Sequence, residues 1–388
     1  MNNFIYDIST KVYFGKDQLN NLSPEIKKYG KKVLLTYGGG SIKKSGLYQR
    51  VIEELKKANM EIFELSNIEP NPKVASVNKG ADICKKENID VLLAVGGGSV
   101  VDCTKFIAAA TYYDGDAWDI MLNKVAVEKA LPIFTVLTLS ATGTEMNYGG
   151  VITNPETHDK IGLAFKPLRP KVSFLDPTNT FSVNKYQTAC GSADILNHIL
   201  EVYLNMDNGM YMLDTVMEGL MKTVIKYGPI AYQEPENYEA RANLMWASSW
   251  AINDFVAGGK RHEWTCHPIE HELSAYYDIT HGLGLAILTP KWLEYTLDSS
   301  TVSKFVQYGI NVFDIDKNRD DMEIAKLAIE KTKNFLYKDL HLDSTLSSIN
   351  ISSEKFELMA KKACLDDSIK GFKTLYKEDI LNILNMCK

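Results

Sequence analysis

Up to about residue 185 the chain alternates short, continuously apolar runs with amphipathic stretches. The runs at 33–37, 91–95, 132–137 and 172–175 are rich in Val, Leu and Ile and close on glycine or polar turns. Runs of that length with no polar alternation read as strands buried on both faces, as in a parallel sheet. Between them, residues 49–57 and 74–86 place apolar side chains at helical spacing, and strands alternating with helices predict a parallel α/β sheet covered by helices. After residue 185 the strand signal nearly vanishes. Long amphipathic stretches at 193–204, 210–226, 238–251, 321–336 and 353–363 predict an all-helical lobe. Turn chemistry at Pro177, Thr178 and Asn179, within 176–184, puts the boundary there. The expectation is an α/β domain over 1–184 and an all-α domain over 185–388.

One segment occurs twice. Residues 33–41 read VLLTYGGGS and residues 91–99 read VLLAVGGGS, identical at seven of nine positions and 58 residues apart. With only two copies this is no solenoid; it is one strand–turn–helix device used twice in a sheet. An apolar strand, a glycine run and a helix start let backbone approach an anion closely, because glycine accepts positive φ and carries no Cβ, and the helix start offers unpaired N–H groups. Ser41 and Ser99 are placed to cap the following helix or bind phosphate. The spacing matches neither G-x-G-x-x-G nor the P-loop, so one copy alone is equally a ligand-free turn. Two copies in matching context point to a dinucleotide. Further on, Thr138, Ser140, Thr142 and Thr144 follow a third strand; their hydroxyls could meet ribose, phosphate or a nicotinamide amide, or simply cap a helix.

The second half carries a different chemistry. Of seven histidines, four fall between His262 and His281, with His267 and His271 between them, and His198 lies four residues after Asp194. A four-residue step returns to the same helix face, so Asp194 and His198 can reach one ion. Pro268 suits the first turn of a helix carrying His267 and His271, while His281-Gly282 reads as a helix end where glycine turns the chain. Three imidazoles and a carboxylate suit Fe²⁺ or Zn²⁺ and not calcium or magnesium. By spacing alone the site could be closed and structural, or could expand to admit a substrate oxygen. His262 follows Arg261 in a glycine-containing loop and is not expected to be a ligand; His158 and His341 read as loop histidines. Trp246, Trp250, Phe255 and Trp264 could wall an alkyl pocket, although such residues are commonly core.

Composition narrows the field further. A net charge of −6 gives no global attraction to nucleic acid or to acidic membranes. No apolar run approaches the roughly 18 residues of a membrane span, and the opening MNNFIYDISTKVYFG lacks a signal-peptide pattern. Six scattered cysteines without C-x-x-C read as buried thiols in a reducing cytoplasm.

With these residues assembled, the sequence resembles the iron-containing (group III) alcohol dehydrogenases along essentially its whole length, most closely their butanol dehydrogenase and aldehyde-reductase branch. The resemblance rests on Tyr37-Gly38-Gly39-Gly40-Ser41, on 96–102, on Gly191 through His198, and on His267-Pro268-Ile269-Glu270-His271 through His281-Gly282. It implies a Rossmann-like dinucleotide-binding domain, a helical domain of the dehydroquinate synthase-like type, and a catalytic metal in the cleft between them. The implied metal ligands are Asp194, His198, His267 and His281; His271 matches a histidine outside that set, associated with proton relay. Gly38, Gly39, Ser41, Asn71, Gly97, Gly98, Ser99, Asp102, Thr138, Thr142, Asn147 and Lys160 match positions around the dinucleotide. Family members that prefer NADH often carry an Asp after the first strand. Here Gly38 to Ser41 stand there, with Lys43 and Lys44 nearby, which favours the 2′-phosphate of NADPH without excluding NADH. The expected reaction is hydride transfer between NAD(P)H and a short-chain aldehyde or primary alcohol such as butanal and butanol, by a cytoplasmic homodimer. A polyol dehydrogenase and a non-catalytic metal- or nucleotide-binding protein are the alternatives.

Overall fold

The computed structural model describes residues 2–207, 209–260, 263–365 and 367–388. They gather into two compact units, one of residues 7–184 with 235–249, the other of residues 2–6, 185–234 and 250–388.

The first unit is built on a six-stranded parallel sheet. Its strands are β1 (Lys11–Phe14), β2 (Lys32–Tyr37), β3 (Glu61–Leu65), β4 (Val91–Gly96), β5 (Ile133–Leu137) and, after the antiparallel hairpin β6 (Gly149–Asn154)–β7 (Asp159–Ala164), β8 (Val172–Leu175). Helices α1 (Leu47–Lys57), α2 (Val74–Glu87) and α3 (Gly98–Ala110) connect them. The order β1-β8-β5-β4-β2-β3 sends the chain outward from β2 to β3 and then back across β2 to β4. The carboxyl ends of β2 and β4 therefore form the point where the winding reverses, the usual ligand crevice of an open α/β sheet. The two copies of the repeat are these two strands, paired in register with Val33 against Val91, Leu34 against Leu92 and Tyr37 against Val95.

The apolar runs explain the burial on both faces. Leu34, Leu92 and Ala94 pack with Ile107 and Phe106 of α3, while Val33, Leu35, Val91 and Leu93 pack with Val51 and Leu55 of α1. Side chains alternate across a strand, so an unbroken Val-Leu-Leu run supplies both layers at once.

The second unit is helical: α4 (Lys185–Tyr203), α5 (Tyr211–Gln233), α7 (Cys266–Tyr277), α8 (His281–Thr296), α9 (Val302–Phe313), α10 (Asp321–Lys333), α11 (Phe356–Ala363) and α12 (Lys377–Met386). A two-stranded hairpin, β9 (Ser368–Lys370) with β10 (Thr374–Tyr376), is its only sheet among the described residues. Helix α6 (Tyr238–Ala251), expected in the helical lobe, gathers over residues 238–249 with the sheet unit instead. Met245 packs on Leu137 and Leu175, and Trp246 sets its ring edge-on to Phe14 at 5.4 Å. Periodicity reads a helix correctly but not its partner. All six cysteines are buried and free. Among the described residues no helix is long and apolar enough to cross a membrane.

Candidate metal centre and dinucleotide turns

Helix α4 presents Asp194 and His198 on one face, both buried, with His198 Nε2 3.6 Å from Asp194 Oδ1. His281 brings its Nε2 to the same oxygen, also at 3.6 Å. One potential ligand atom each from Asp194, His267 and His281 lies within 4.8 Å of the others. The His198 ring stacks on His267 with centroids 4.7 Å apart. The four residues expected to act together thus meet in one cluster within the helical unit, three of them in a tight triangle and His198 alongside.

Two glutamates not singled out in the sequence orient this cluster. Buried Glu201, on α4, accepts from His267 Nδ1 and from the backbone N–H groups of Thr265 and Cys266. Buried Glu270 accepts from His281 Nδ1 and from Ser274 Oγ. A carboxylate on Nδ1 fixes the tautomer and leaves Nε2 as the ligand atom. His267 Nε2 is buried with no hydrogen-bond partner among the described residues, as expected of an atom that serves a metal. Burial works against the His267 imidazolium, but Glu201 and the further carboxylates Asp194 and Glu270 outweigh it and raise the pKa. Burial, with the neighbouring His267 and His281, pushes His198 well below the ordinary histidine range, and a neutral imidazole is the ligating form. Glu201 follows His198 by three residues and Glu270 precedes His271 directly, so the signal was present as acids near the histidines, but any helix surface carries such acids.

His271, half-buried one turn after His267, has its ring 5.8 Å from that of His281 and 6.3 Å from that of His267. It groups with Glu270 and His281, beside the triangle and not in it. His262 lies outside the described residues. The turn reading of His281-Gly282 is corrected by the structure. His281 opens α8, and Gly282 sits in its first turn, where an added Cβ would lie 2.1 Å from the Cys190 carbonyl oxygen of α4. The glycine serves close helix approach, not chain reversal. Of the four aromatics, Trp246 lies on Phe14, Trp250 packs edge-on to Phe255, and Trp264 borders the cluster, 4.8 Å from the His267 ring and 5.7 Å from that of His198.

In the sheet unit the two glycine turns stand side by side but differ. Gly40 has φ +102° and is followed by a single helical turn, Ser41–Lys44. Gly39 and Gly40 face open space, whereas a Cβ on Gly38 would come 3.3 Å from the Ile68 carbonyl. The second turn enters α3 directly through Gly97 and Gly98, giving thirteen residues of helix behind its amides. A Cβ on Gly98 would lie 2.4 Å from Thr142 Oγ1, so Thr142 rests on the turn. The capping expectation is corrected, since Gly40 and Gly97 hold the N-cap positions and Ser41 and Ser99 lie inside their helices. The Thr138 amide donates to the Gly96 carbonyl at 3.0 Å, placing Thr138 beside the same turn. Asn71, with φ +48°, is buried. Asp102 on α3 accepts from Thr144 Oγ1 at 2.7 Å and from the Val151 amide at 3.0 Å. Asn147 precedes β6, and Lys160 of β7 pairs across the hairpin with Thr153.

A parallel sheet with glycine turns at its reversal point, and a helical unit holding a His/Asp cluster braced by carboxylates, define a metal- and dinucleotide-using enzyme. Family models agree, with iron-containing alcohol dehydrogenase matched over residues 9–177 and the C-terminal part of the Fe-containing alcohol dehydrogenase family over 188–387. The chain belongs to the iron-containing alcohol dehydrogenase family. It is 51% identical over 385 residues, covering 99% of both chains, to a protein of Clostridium acetobutylicum named NADH-dependent butanol dehydrogenase A. It is 36% identical to the NADPH-dependent aldehyde reductase YqhD of Escherichia coli, covering 93% of each. The crystal structure of a protein named NADH-dependent butanol dehydrogenase A from Thermotoga maritima superposes with a TM-score of 0.95 at 40% identity, covering 100% of this chain and 99% of that one.

Proposed function

We propose that this protein transfers hydride between NAD(P)H and a short-chain aldehyde or primary alcohol of the butanal/butanol type, at a metal held by Asp194, His198, His267 and His281. The observation that carries the reading is the convergence of Asp194, His267 and His281 within 4.8 Å. Two of those histidines are locked at Nδ1 by buried glutamates. When bound, the metal supplies Lewis acidity at the substrate oxygen and the nicotinamide supplies or takes the hydride. The chain's own residues do the rest. Glu201 and Glu270 keep Nε2 of His267 and His281 on the ligand side. Trp264 shields the cluster from water. His271, outside the triangle but next to His281, carries the proton between substrate and solvent. The donor set suits Fe²⁺ and Zn²⁺ alike.

For the dinucleotide we propose that the sheet unit, which differs from the expected 1–184 by gaining 235–249 and losing 2–6, is the binding domain, with Gly38, Gly39, Ser41, Asn71, Gly97, Gly98, Ser99, Asp102, Thr138, Thr142, Asn147 and Lys160 lining it, and that the helical unit, from the expected 185–388, binds the metal. The first turn carries no carboxylate, so it admits the 2′-phosphate of NADPH. The neighbouring acid, Glu64, is held by the hydroxyls of Tyr37 and Tyr48 at 2.6 and 2.7 Å. Lys43 lies over those two rings, near 5 Å from each. Relatives named for NADH and for NADPH both resemble this chain, at 51% and 36% identity, which supports use of either dinucleotide. A homodimer is the assembly we propose, and its buried thiols suit a reducing cytoplasm.

The test is an anaerobic assay of metal-stripped protein reloaded with Fe²⁺ or Zn²⁺, with butanal and either NADPH or NADH. Reloaded protein consumes the reduced cofactor. His267→Ala retains no metal and does not turn over, whereas His271→Ala keeps its metal and turns over slowly. Full activity of metal-free His267→Ala would overturn the reading.

A further inference from the structure

Lys105 is among the largest fully buried side chains and has no place in the site just proposed. It lies in the second turn of α3, the helix that starts at the glycine turn, so its backbone is set by Gly97 and Gly98. Its Nζ has three acceptors: Thr144 Oγ1 at 2.7 Å, Asn147 Oδ1 at 2.8 Å and the Gly149 carbonyl at 2.6 Å. An ammonium has three hydrogens and no lone pair, so three acceptors around one nitrogen satisfy the protonated lysine in full. Burial lowers its pKa to about 7, against the pull of Asp102 and Glu145.

Two consequences follow for neighbouring residues. Thr144 Oγ1 accepts from Lys105, so its own hydrogen is free to donate to Asp102 Oδ1, as observed at 2.7 Å. Asn147 is turned by the same contact. The atom facing Lys105 Nζ also faces the Gly149 amide, at 3.0 Å. Both neighbours are donors, so that atom is the amide oxygen, and the NH₂ group is what Asn147 has left for a ligand.

We infer that Lys105 is the positioning residue of the cofactor site, tying the 144–149 segment to the glycine-turn helix so that Asn147 meets the dinucleotide as a hydrogen-bond donor. The partner on the dinucleotide is therefore an acceptor oxygen, such as the carboxamide oxygen or a ribose hydroxyl. The inference rests on the dinucleotide reading above and adds a residue and a donor direction to it.

The test is binding, not only turnover. Full-length protein is titrated with NADPH and with NADH, following nicotinamide fluorescence, with metal content and far-UV circular dichroism measured on the same samples. Lys105→Met is expected to weaken binding at least tenfold and to raise the KM for the dinucleotide while leaving the KM for butanal and the metal content as in wild type. A general loosening of the fold would move all four together. Asn147→Asp keeps an acceptor for Lys105 but has no NH₂ group; it is expected to weaken binding at least tenfold with a native spectrum. This variant decides the matter should Lys105→Met fail to fold. Binding within twofold of wild type by folded Lys105→Met, or by Asn147→Asp, overturns the inference. Wild type that binds neither dinucleotide overturns the functional reading itself, and the inference with it.

Discussion

Replacing Gly282 by alanine tests how the metal cluster is assembled. Gly282 follows His281 in the first turn of α8, and a Cβ there would stand 2.1 Å from the Cys190 carbonyl oxygen and 2.6 Å from its carbon. Real Cβ atoms essentially never come within 3.0 Å of such a neighbour, so the backbones must part by at least 3.0 − 2.1 = 0.9 Å, and by 3.4 − 2.1 = 1.3 Å to reach ordinary contact. Backbone of a packed helix has no rotamer to escape through. Cys190 is one turn before Asp194 and two before His198 on α4, so the element pushed away from His281 is the one bearing two of its companions. Metal–ligand distances tolerate only about 0.2 Å. In stability the change is modest: overpacking costs about 1–3 kcal/mol, against a helix-propensity gain of at most about 1 kcal/mol for Gly to Ala. The expected result is a folded protein whose thermal midpoint falls by a few degrees but which retains less than a tenth of the wild-type metal after dialysis against a chelator. Gly219→Ala is the control. That glycine lies in α5 with nothing within 4 Å of the added atom, and its replacement should stabilise by up to about 1 kcal/mol with metal content unchanged. Stoichiometric metal and normal butanal turnover in Gly282→Ala would refute this account of the site.

Three further outcomes are expected. Pro290 interrupts α8 and cannot donate to the Ala286 carbonyl four residues back; Tyr337, from the π-helical turn Asn334–Asp339, donates to that buried oxygen at 3.1 Å. Tyr337→Phe should therefore destabilise by about 1–3 kcal/mol, and the loss should shrink in the Pro290→Ala background, where the helix supplies its own donor; equal losses in both backgrounds, by denaturant titration, would dismiss the pairing. Glu201→Gln replaces a carboxylate that accepts from His267 and two backbone amides by a group with one acceptor, and should weaken metal binding about 10- to 100-fold in competition with a chromophoric chelator; unchanged affinity would remove Glu201 from the orienting role. Glu25 is held down to about 2, from an ordinary 4.5, by hydrogen bonds from Lys11, Lys28 and Tyr13. A depressed carboxylate binds fewer protons folded than unfolded, so its stabilisation is present above pH 4.5 and drains away as pH falls from there toward 2; Glu25→Gln should flatten acid unfolding in that window, and an unaltered profile would contradict it.

The sheet was legible because its residues carry two messages at once. Val33-Leu34-Leu35 and Val91-Leu92-Leu93 are apolar without a break, which signals burial on both faces. Their repetition signals the same structural context, and in the fold they lie side by side in register. The hairpin β6–β7 was not legible: its six-residue strands mix Gly, Thr, Asn, Asp and Lys, and its burial is uneven. Nor did any local signal place α6 with the sheet, because the residues that bind it, Met245 and Arg241, are ordinary helix residues whose partners Leu137, Leu175 and Val183 are remote in sequence.

The site divides along the same line. Metal-type residues announce themselves by chemistry, so Asp194, His198, His267 and His281 stand out from any helix they occupy. What makes them a site does not announce itself. Glu201, Glu270 and Lys105 are common residue types on amphipathic helices, and their roles arise only when burial removes water as the competing partner. Gly282 reads from the sequence as a turn residue and serves a helix contact, because glycines in the two roles are written with the same letter. The difference lies in what stands opposite, here a backbone carbonyl 92 residues away in sequence. Residues that perform chemistry can thus be read from the chain, whereas those that fix its geometry depend on partners the chain does not name. That is why the sharpest tests of this enzyme fall on a glycine, a glutamate and a lysine, none of which need touch the substrate.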